Sequence, residues 1–129
     1  MKIVADTNIF LAVALNEPEK DRIVEITKGF DAFCPEILPY EIANALSAMV
    51  KRKRISAEKV LAIYEITQEI PVQLVSTDIL KSLEIAGRYN IYAYDAYFLQ
   101  CALSLNCPLL TLDFGIKQVA RQLGIKILE

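Results

Sequence analysis

Residues 2–8 read Lys2-Ile3-Val4-Ala5-Asp6-Thr7-Asn8, an apolar run of strand length closed by an acid and two polar residues. A helix-like segment, Asn8–Leu15, follows at once, and the alternation continues to the end of the chain. Further strands are expected at Asp31–Cys34, Val72–Val75, Pro108–Thr111 and, briefly, Lys126–Leu128. Helices are expected at Glu19–Lys28, Ile37–Arg54, Ala57–Ile70, Ile79–Asn90, Tyr94–Asn106 and Gly115–Leu123. Several boundaries carry a mechanism. Ser56 and Thr77 are suited to cap the helices that follow them. Pro71 stops a helix, and Gly124 suits the left-handed turn after the last one. Strand and helix in alternation predict an α/β fold, with a parallel β-sheet of four to five strands flanked by helices on both faces. In such sheets ligands gather at the carboxyl ends of strands, near the point where strand order reverses. Asp6 follows the first strand and Asp113 the fourth, so both are expected on that edge.

Bulk composition narrows the function. At 129 residues the chain reads as one domain. Hydrophobic residues make up 54% and mean hydropathy is +0.34, high enough to expect apolar area left over for an interface. No apolar stretch reaches the roughly 18 residues of a membrane span. Met1-Lys2 and the apolar residues after them faintly mimic a signal peptide, but Asp6, Thr7 and Asn8 break the run, so a cytoplasmic protein is expected. Cys34, Cys101 and Cys107 form no C-x-x-C pair and read as reduced core residues. There is no histidine, which excludes an imidazole base, a Ser-His or Cys-His dyad and nearly every zinc site. Fourteen basic and sixteen acidic residues give −2; neutralising four acids leaves twelve against fourteen, or +2, so net charge decides nothing about nucleic acid.

Four acids stand out because each lies beside or inside an apolar segment with no basic partner nearby: Asp6, Glu41, Asp95 and Asp113. Each has an ordinary explanation. Asp6 and Asp113 can cap helices, a role worth about 1 kcal/mol that needs nothing more. Asp95 can profit from the dipole of the helix it begins. Glu41 is harder to dismiss: it precedes an almost wholly apolar or small stretch and has no base four residues on. Positions 41, 44, 45 and 48 share a small, polar-tinged face that can border a cleft. A buried carboxylate must be paired, protonated or metal-bound, since leaving it bare costs several kcal/mol. If the fold gathers these four, the natural counter-charge is a hard divalent cation.

With those residues in hand, the chain resembles the PIN-domain family over essentially its whole length, and most closely the small VapC-type toxin ribonucleases. The likeness rests on Val4-Ala5-Asp6-Thr7-Asn8, Pro39-Tyr40-Glu41-Ile42-Ala43-Asn44-Ala45-Leu46, Tyr94-Asp95-Ala96-Tyr97-Phe98-Leu99 and Leu110-Thr111-Leu112-Asp113, in that order. The resemblance implies a parallel sheet flanked by helices and a cluster of acids holding Mg2+ or Mn2+. It also implies hydrolysis of RNA phosphodiester bonds, homodimers and a small antitoxin partner. Asp6, Glu41, Asp95 and Asp113 match the family's acidic positions. Asp6 and Asp95 are expected as direct ligands, then Glu41, with Asp113 acting through water. Asn8 and Thr111 match polar positions that border the site. The aromatic density around Asp95 (Tyr92, Tyr94, Tyr97, Phe98) departs from the family, which often has smaller residues there.

Lys51-Arg52-Lys53-Arg54 is the one dense basic run. Cations at a helix end complement its dipole; alternatively the run is a track for RNA phosphates, shared with Lys28, Arg88, Lys117 or Arg121. The tyrosines suit stacking on unpaired bases; alternatively, their helical spacing with Phe98 and Leu99 makes most of them core or interface residues. Rival readings are fewer. A phosphoryl-receiver domain wants two adjacent acids after the first strand and a Lys-Pro near the last, and neither is present. A catalytically silent binding module would leave the acids structural. An RNA-processing nuclease would keep the chemistry without an antitoxin.

Overall fold

The computed structural model describes all 129 residues. The chain runs β1 (Lys2–Ala5), α1 (Thr7–Ala14), α2 (Lys20–Ile26), β2 (Asp31–Pro35), α3 (Leu38–Lys51), α4 (Ala57–Glu69), β3 (Gln73–Val75), α5 (Ile79–Tyr89), α6 (Ala93–Leu105), β4 (Leu109–Leu110) and α7 (Phe114–Gln122). The four strands form one parallel sheet in the order β3-β2-β1-β4. Val4 stands beside Phe33 on one side and Leu109 on the other. β1 is buried at Ile3, Val4 and Ala5 in succession. Neighbouring strand residues point to opposite faces, so an unbroken buried run means that both faces are covered. Connections from β1 lead outward through β2 to β3, whereas β4 returns to the other side of β1. The switch in strand order therefore falls between β1 and β4.

The fifth expected strand, Lys126–Leu128, shrinks to one parallel bridge between Ile127 and Leu109. Two backbone hydrogen bonds of 2.9 Å, Leu109 N to Lys126 O and Leu128 N to Leu109 O, hold it there. β4 is only two residues long, and so short a template supports no longer ladder.

α6 packs on β1 and β2, α5 packs on α6, and α1 packs on α3 and α4. Ala96, Phe98, Leu99, Cys101 and Ala102 bury α6 nearly all round, as expected of a helix that is apolar on every side. Phe98 is among the largest fully buried side chains, with Ile3, Leu46, Leu99, Leu109 and Val4. The cysteines are free, Cys34 and Cys101 buried and Cys107 half-buried, in accord with their reading as core residues. Burial pushes the Cys101 thiol up to about 12 and Cys34 higher still, so both stay protonated and inert.

Two boundaries correct the sequence reading. Thr77 is not the cap of α5: Asp78 is, accepting from Lys81 N at 3.0 Å, while the buried Thr77 hydroxyl finds no partner. A carboxylate and a hydroxyl competed one residue apart, and the carboxylate took the helix N-terminus, which favours negative charge. α3 ends at Lys51 rather than Arg54, because Lys53 adopts a left-handed conformation with φ 59°. By contrast Ser56 caps α4 through Lys59 N at 3.1 Å, and Gly124 turns the chain with φ 76°. Asp78→Ala is expected to cost about 1 kcal/mol in urea unfolding. Thr77→Val should be neutral or stabilising by up to about 1 kcal/mol, since it removes a hydroxyl that pays desolvation for nothing. A greater loss in Thr77→Val than in Asp78→Ala reverses the assignment.

Candidate active site

The four acids come from four separate helix N-termini. Asp6 caps α1 and Asp113 caps α7; Glu41 and Asp95 lie in the first turns of α3 and α6. Each therefore keeps the ordinary local role its position suggests. The sheet adds what no local rule contains. Asp6 N donates to Leu110 O at 2.9 Å, tying the carboxyl end of β1 to that of β4. The turns leaving both strands thus open side by side at the switch point. There Asp6, Glu41, Asp95 and Asp113 line one cleft of about 360 Å³ with Thr7, Asn8, Tyr40, Asn44, Ala45 and Tyr94.

Hydrogen bonds organise the acids unequally. Asp6 Oδ1 accepts from Thr7 N at 2.7 Å, and its Oδ2 accepts from Thr111 Oγ1 at 2.9 Å. Thr111 Oγ1 in turn accepts from Asp113 N at 3.1 Å. Asp113 Oδ1 accepts from Ile116 N at 2.9 Å, the capping bond of α7. Glu41 Oε2 accepts from Thr7 Oγ1 at 2.6 Å. Asp95 has no side-chain hydrogen bond and stands free in the cleft.

No cation of the protein answers this charge. Its two ion pairs, Lys28–Glu25 and Arg121–Glu129, lie elsewhere. Asp6 is only 5% exposed, and burial raises its proton affinity above the usual carboxylate range. The bonds from Thr111 and Thr7 offset part of that rise, and the charges of Glu41 and Asp113 add to it. Burial likewise raises Glu41, against the bond from Thr7 and with the charge of Asp95. Asp95 is raised by burial first, then by Asp6 and Asp113. A helix N-terminus stabilises a nearby anion by about 0.3–1 kcal/mol. At Asp6, Glu41 and Asp95 that stabilisation does not win against desolvation and mutual repulsion.

The donor set suits a hard divalent ion: carboxylate oxygens with the amides of Asn8 and Asn44 alongside, and neither histidine nor thiolate in the cleft. No three of the acids close into a ready-made cage. Magnesium does not ask for one, since it keeps several waters and binds through one or two carboxylates. Asn8 sits exposed on the lip, whereas Thr111 is buried behind Asp6. Residues 41, 44 and 45 line the cleft as their helical spacing suggests; Ala48 does not.

The basic run is not brought to the acids. Lys51 closes α3, ten residues or about 15 Å along the axis from Glu41. Lys53 and Arg54 line a separate shallow depression with Ser56 and Lys59. Sequence reasoning also missed Thr7 and Tyr40 as parts of the site. Tyr40 is 73% exposed, and its place beside Glu41 was the available signal.

An α/β domain with an acidic pocket at its strand-order switch is the class that fold and site define. The profile of the PIN domain matches residues 3–122, and the chain belongs to that family. No curated protein matches it. Among solved structures it is similar to PAE2754 from Pyrobaculum aerophilum, with TM-score 0.70 and 20% identity over 92% of this chain and 87% of that one. It is also similar to VapBC2 from Rickettsia felis bound to a DNA fragment from their promoter, with TM-score 0.66 and 17% identity over 100% and 98% of the two chains.

Asp6, Glu41 and Asp95 hold protons more tightly folded than unfolded. Between the ordinary carboxyl range and those raised values the folded chain binds more protons, so stability falls as pH rises through that window. In melts with chelator present, wild type is expected to lose stability relative to Asp95→Asn as pH rises from about 4 towards 7. Added Mn2+ should narrow the gap at the upper end. Parallel curves for the two proteins count against the charge argument.

Proposed function

We propose that this PIN-domain protein is a metal-dependent endoribonuclease, the toxin of a toxin–antitoxin pair that works in the cytoplasm. One observation carries the reading: four carboxylates from four helix N-termini share a cleft that holds no basic residue. Asp6 and Asp95 are the residues that would hold Mg2+ or Mn2+, with Glu41 and Asp113 beside them in the same cleft. When bound, the ion supplies a Lewis acid that activates water for in-line attack on a phosphodiester and offsets charge on the phosphate. The protein's part is to fix the geometry. Thr111 orients Asp6 through its 2.9 Å bond, and the buried Ile3-Val4-Ala5 run that leads into Asp6 keeps that carboxylate from retreating. Asn8 borders the site as a polar residue on its exposed edge.

Exposed rings at the mouth support an unpaired RNA substrate. Tyr40 and Tyr94, 73% and 55% exposed, stand on α3 and α6 and line the same cleft as the acids. Every base offers a π-face to such rings, so stacking selects single strands without selecting sequence.

The toxin assignment rests on the VapC-like motifs and on the similarity to VapBC2. An antitoxin and a second copy of the chain both need apolar surface, and the molecule has it. Leu61 and Ile66 are exposed on α4, and Ile79, Leu80 and Leu83 on α5. No helix is long and apolar enough to cross a membrane, so this surface has no such use.

Asp6→Asn and Asp95→Asn are each expected to lower RNA cleavage at least about hundredfold while the far-UV spectrum stays unchanged, and EDTA should abolish wild-type cleavage. Full activity in both folded variants ends the proposal. Tyr94→Ala should weaken binding of unpaired RNA by about 1–3 kcal/mol, read by fluorescence anisotropy, and leave a duplex unaffected.

A further inference from the structure

We infer that Thr7 is a positioning residue whose hydroxyl sets the orientation of the Glu41 carboxylate over the acid cleft. The inference rests on the nuclease reading and adds a residue to its machinery.

Thr7 is the first residue of α1 and is buried, so its hydroxyl is taken out of water and must find a partner. That partner is Glu41 Oε2, at 2.6 Å across 34 residues of sequence. For Glu41 the bond is equally singular: no other side chain donates to it, and neither ion pair of the protein involves it. A glutamate has three rotatable torsions, and one in the first turn of a helix at an open cleft otherwise samples many of them. Short O–H···O⁻ bonds of this kind are among the stronger ones and fix direction as well as distance.

Thr7 also serves Asp6, whose Oδ1 accepts from Thr7 N at 2.7 Å. One residue therefore ties two carboxylates from α1 and α3 into a fixed relation, its backbone holding one and its side chain the other. Thr111 donates to the Asp6 carboxylate and accepts from the Asp113 backbone N–H, while the Asp113 carboxylate is held by Ile116 N. Asp95 alone has no such partner, so the acids divide into three held in place and one free to adjust to an incoming ion. Valine is nearly isosteric with threonine and lacks the hydroxyl. Serine keeps the hydroxyl and lacks the methyl group.

The test titrates Mn2+ by calorimetry into RNA-free wild type, Thr7→Val, Thr7→Ser and Thr7→Ala, then measures kcat and KM on a single-stranded RNA. Loss of a partner that orients a metal ligand typically costs 10–100-fold, so Thr7→Val should bind Mn2+ about tenfold more weakly. Its kcat should fall by a similar factor with KM for RNA little changed, and Thr7→Ser should recover to within about twofold of wild type. In a Glu41→Ala background Thr7→Val should have no further effect on Mn2+ binding. Wild-type affinity and kcat in Thr7→Val overturn the inference; so does a Thr7→Ser protein as impaired as Thr7→Val, which would mean that packing rather than the hydroxyl matters. If Thr7→Val does not fold, the smaller Thr7→Ala removes the same hydroxyl, and a folded Thr7→Ala with unchanged Mn2+ affinity overturns it equally. A wild type that neither takes up Mn2+ nor cuts RNA overturns the nuclease reading and this inference together. A competent wild type beside an unchanged Thr7→Val overturns the inference alone.

Discussion

Like charges gathered in a partly dry cleft repel one another, and most of the active-end architecture answers that repulsion. The strand-order switch between β1 and β4 creates the cleft, and four helices point their N-termini into it. Their positive ends and the hydrogen bonds from Thr7 and Thr111 relieve part of the charge. The remainder appears as raised proton affinities at Asp6, Glu41 and Asp95, with no lysine or arginine to lower them. A protein that merely needed helix caps would not concentrate them here. Caps contribute about 1 kcal/mol wherever they sit, whereas clustering them under burial costs more than that.

The cleft is supported unevenly, and the unevenness has chemical sense. Behind Asp6 lies β1, buried from Ile3 to Ala5, and Thr111 braces the carboxylate from the neighbouring strand turn. Asp95 begins α6, which is anchored in the core through Phe98, Leu99 and Ala102, yet its own side chain is unconstrained. A rigid backbone beneath a free carboxylate lets that side chain move by torsion alone, without disturbing the fold. Rings stand at the rim instead of basic side chains. Under the proposed nuclease reading, affinity for RNA depends on the ion and on stacking more than on a cationic groove.

Apolar surface is the second theme. A chain of 54% hydrophobic residues buries a core around β1 and α6 and still exposes Leu61, Ile66, Ile79, Leu80 and Leu83. These lie on α4 and α5, elements that are not needed to hold the acids. The molecule so separates a polar end, where chemistry is possible, from helices whose outer faces suit another protein.

Much of this was legible before any coordinates. Lys2–Ala5 ending at Asp6 announces a buried strand with an acid at its carboxyl end, and the run into Asp113 repeats the signal, because strand length and polar punctuation are local properties. Glu41 and Asp95 were visible as acids in apolar helices for the same reason. Local rules also misled where two answers competed at short range, as at Thr77 and Asp78, or where a single left-handed residue, Lys53, ended a helix early. What sequence alone determined was the alternation of elements and the identity of the four acids. Tertiary structure decided that β4 lies beside β1, that Thr7 reaches Glu41 across 34 residues, and that Lys51–Arg54 stays at the far end of α3. Those facts depend on strand pairing and helix packing between distant segments, which no window of neighbouring residues contains.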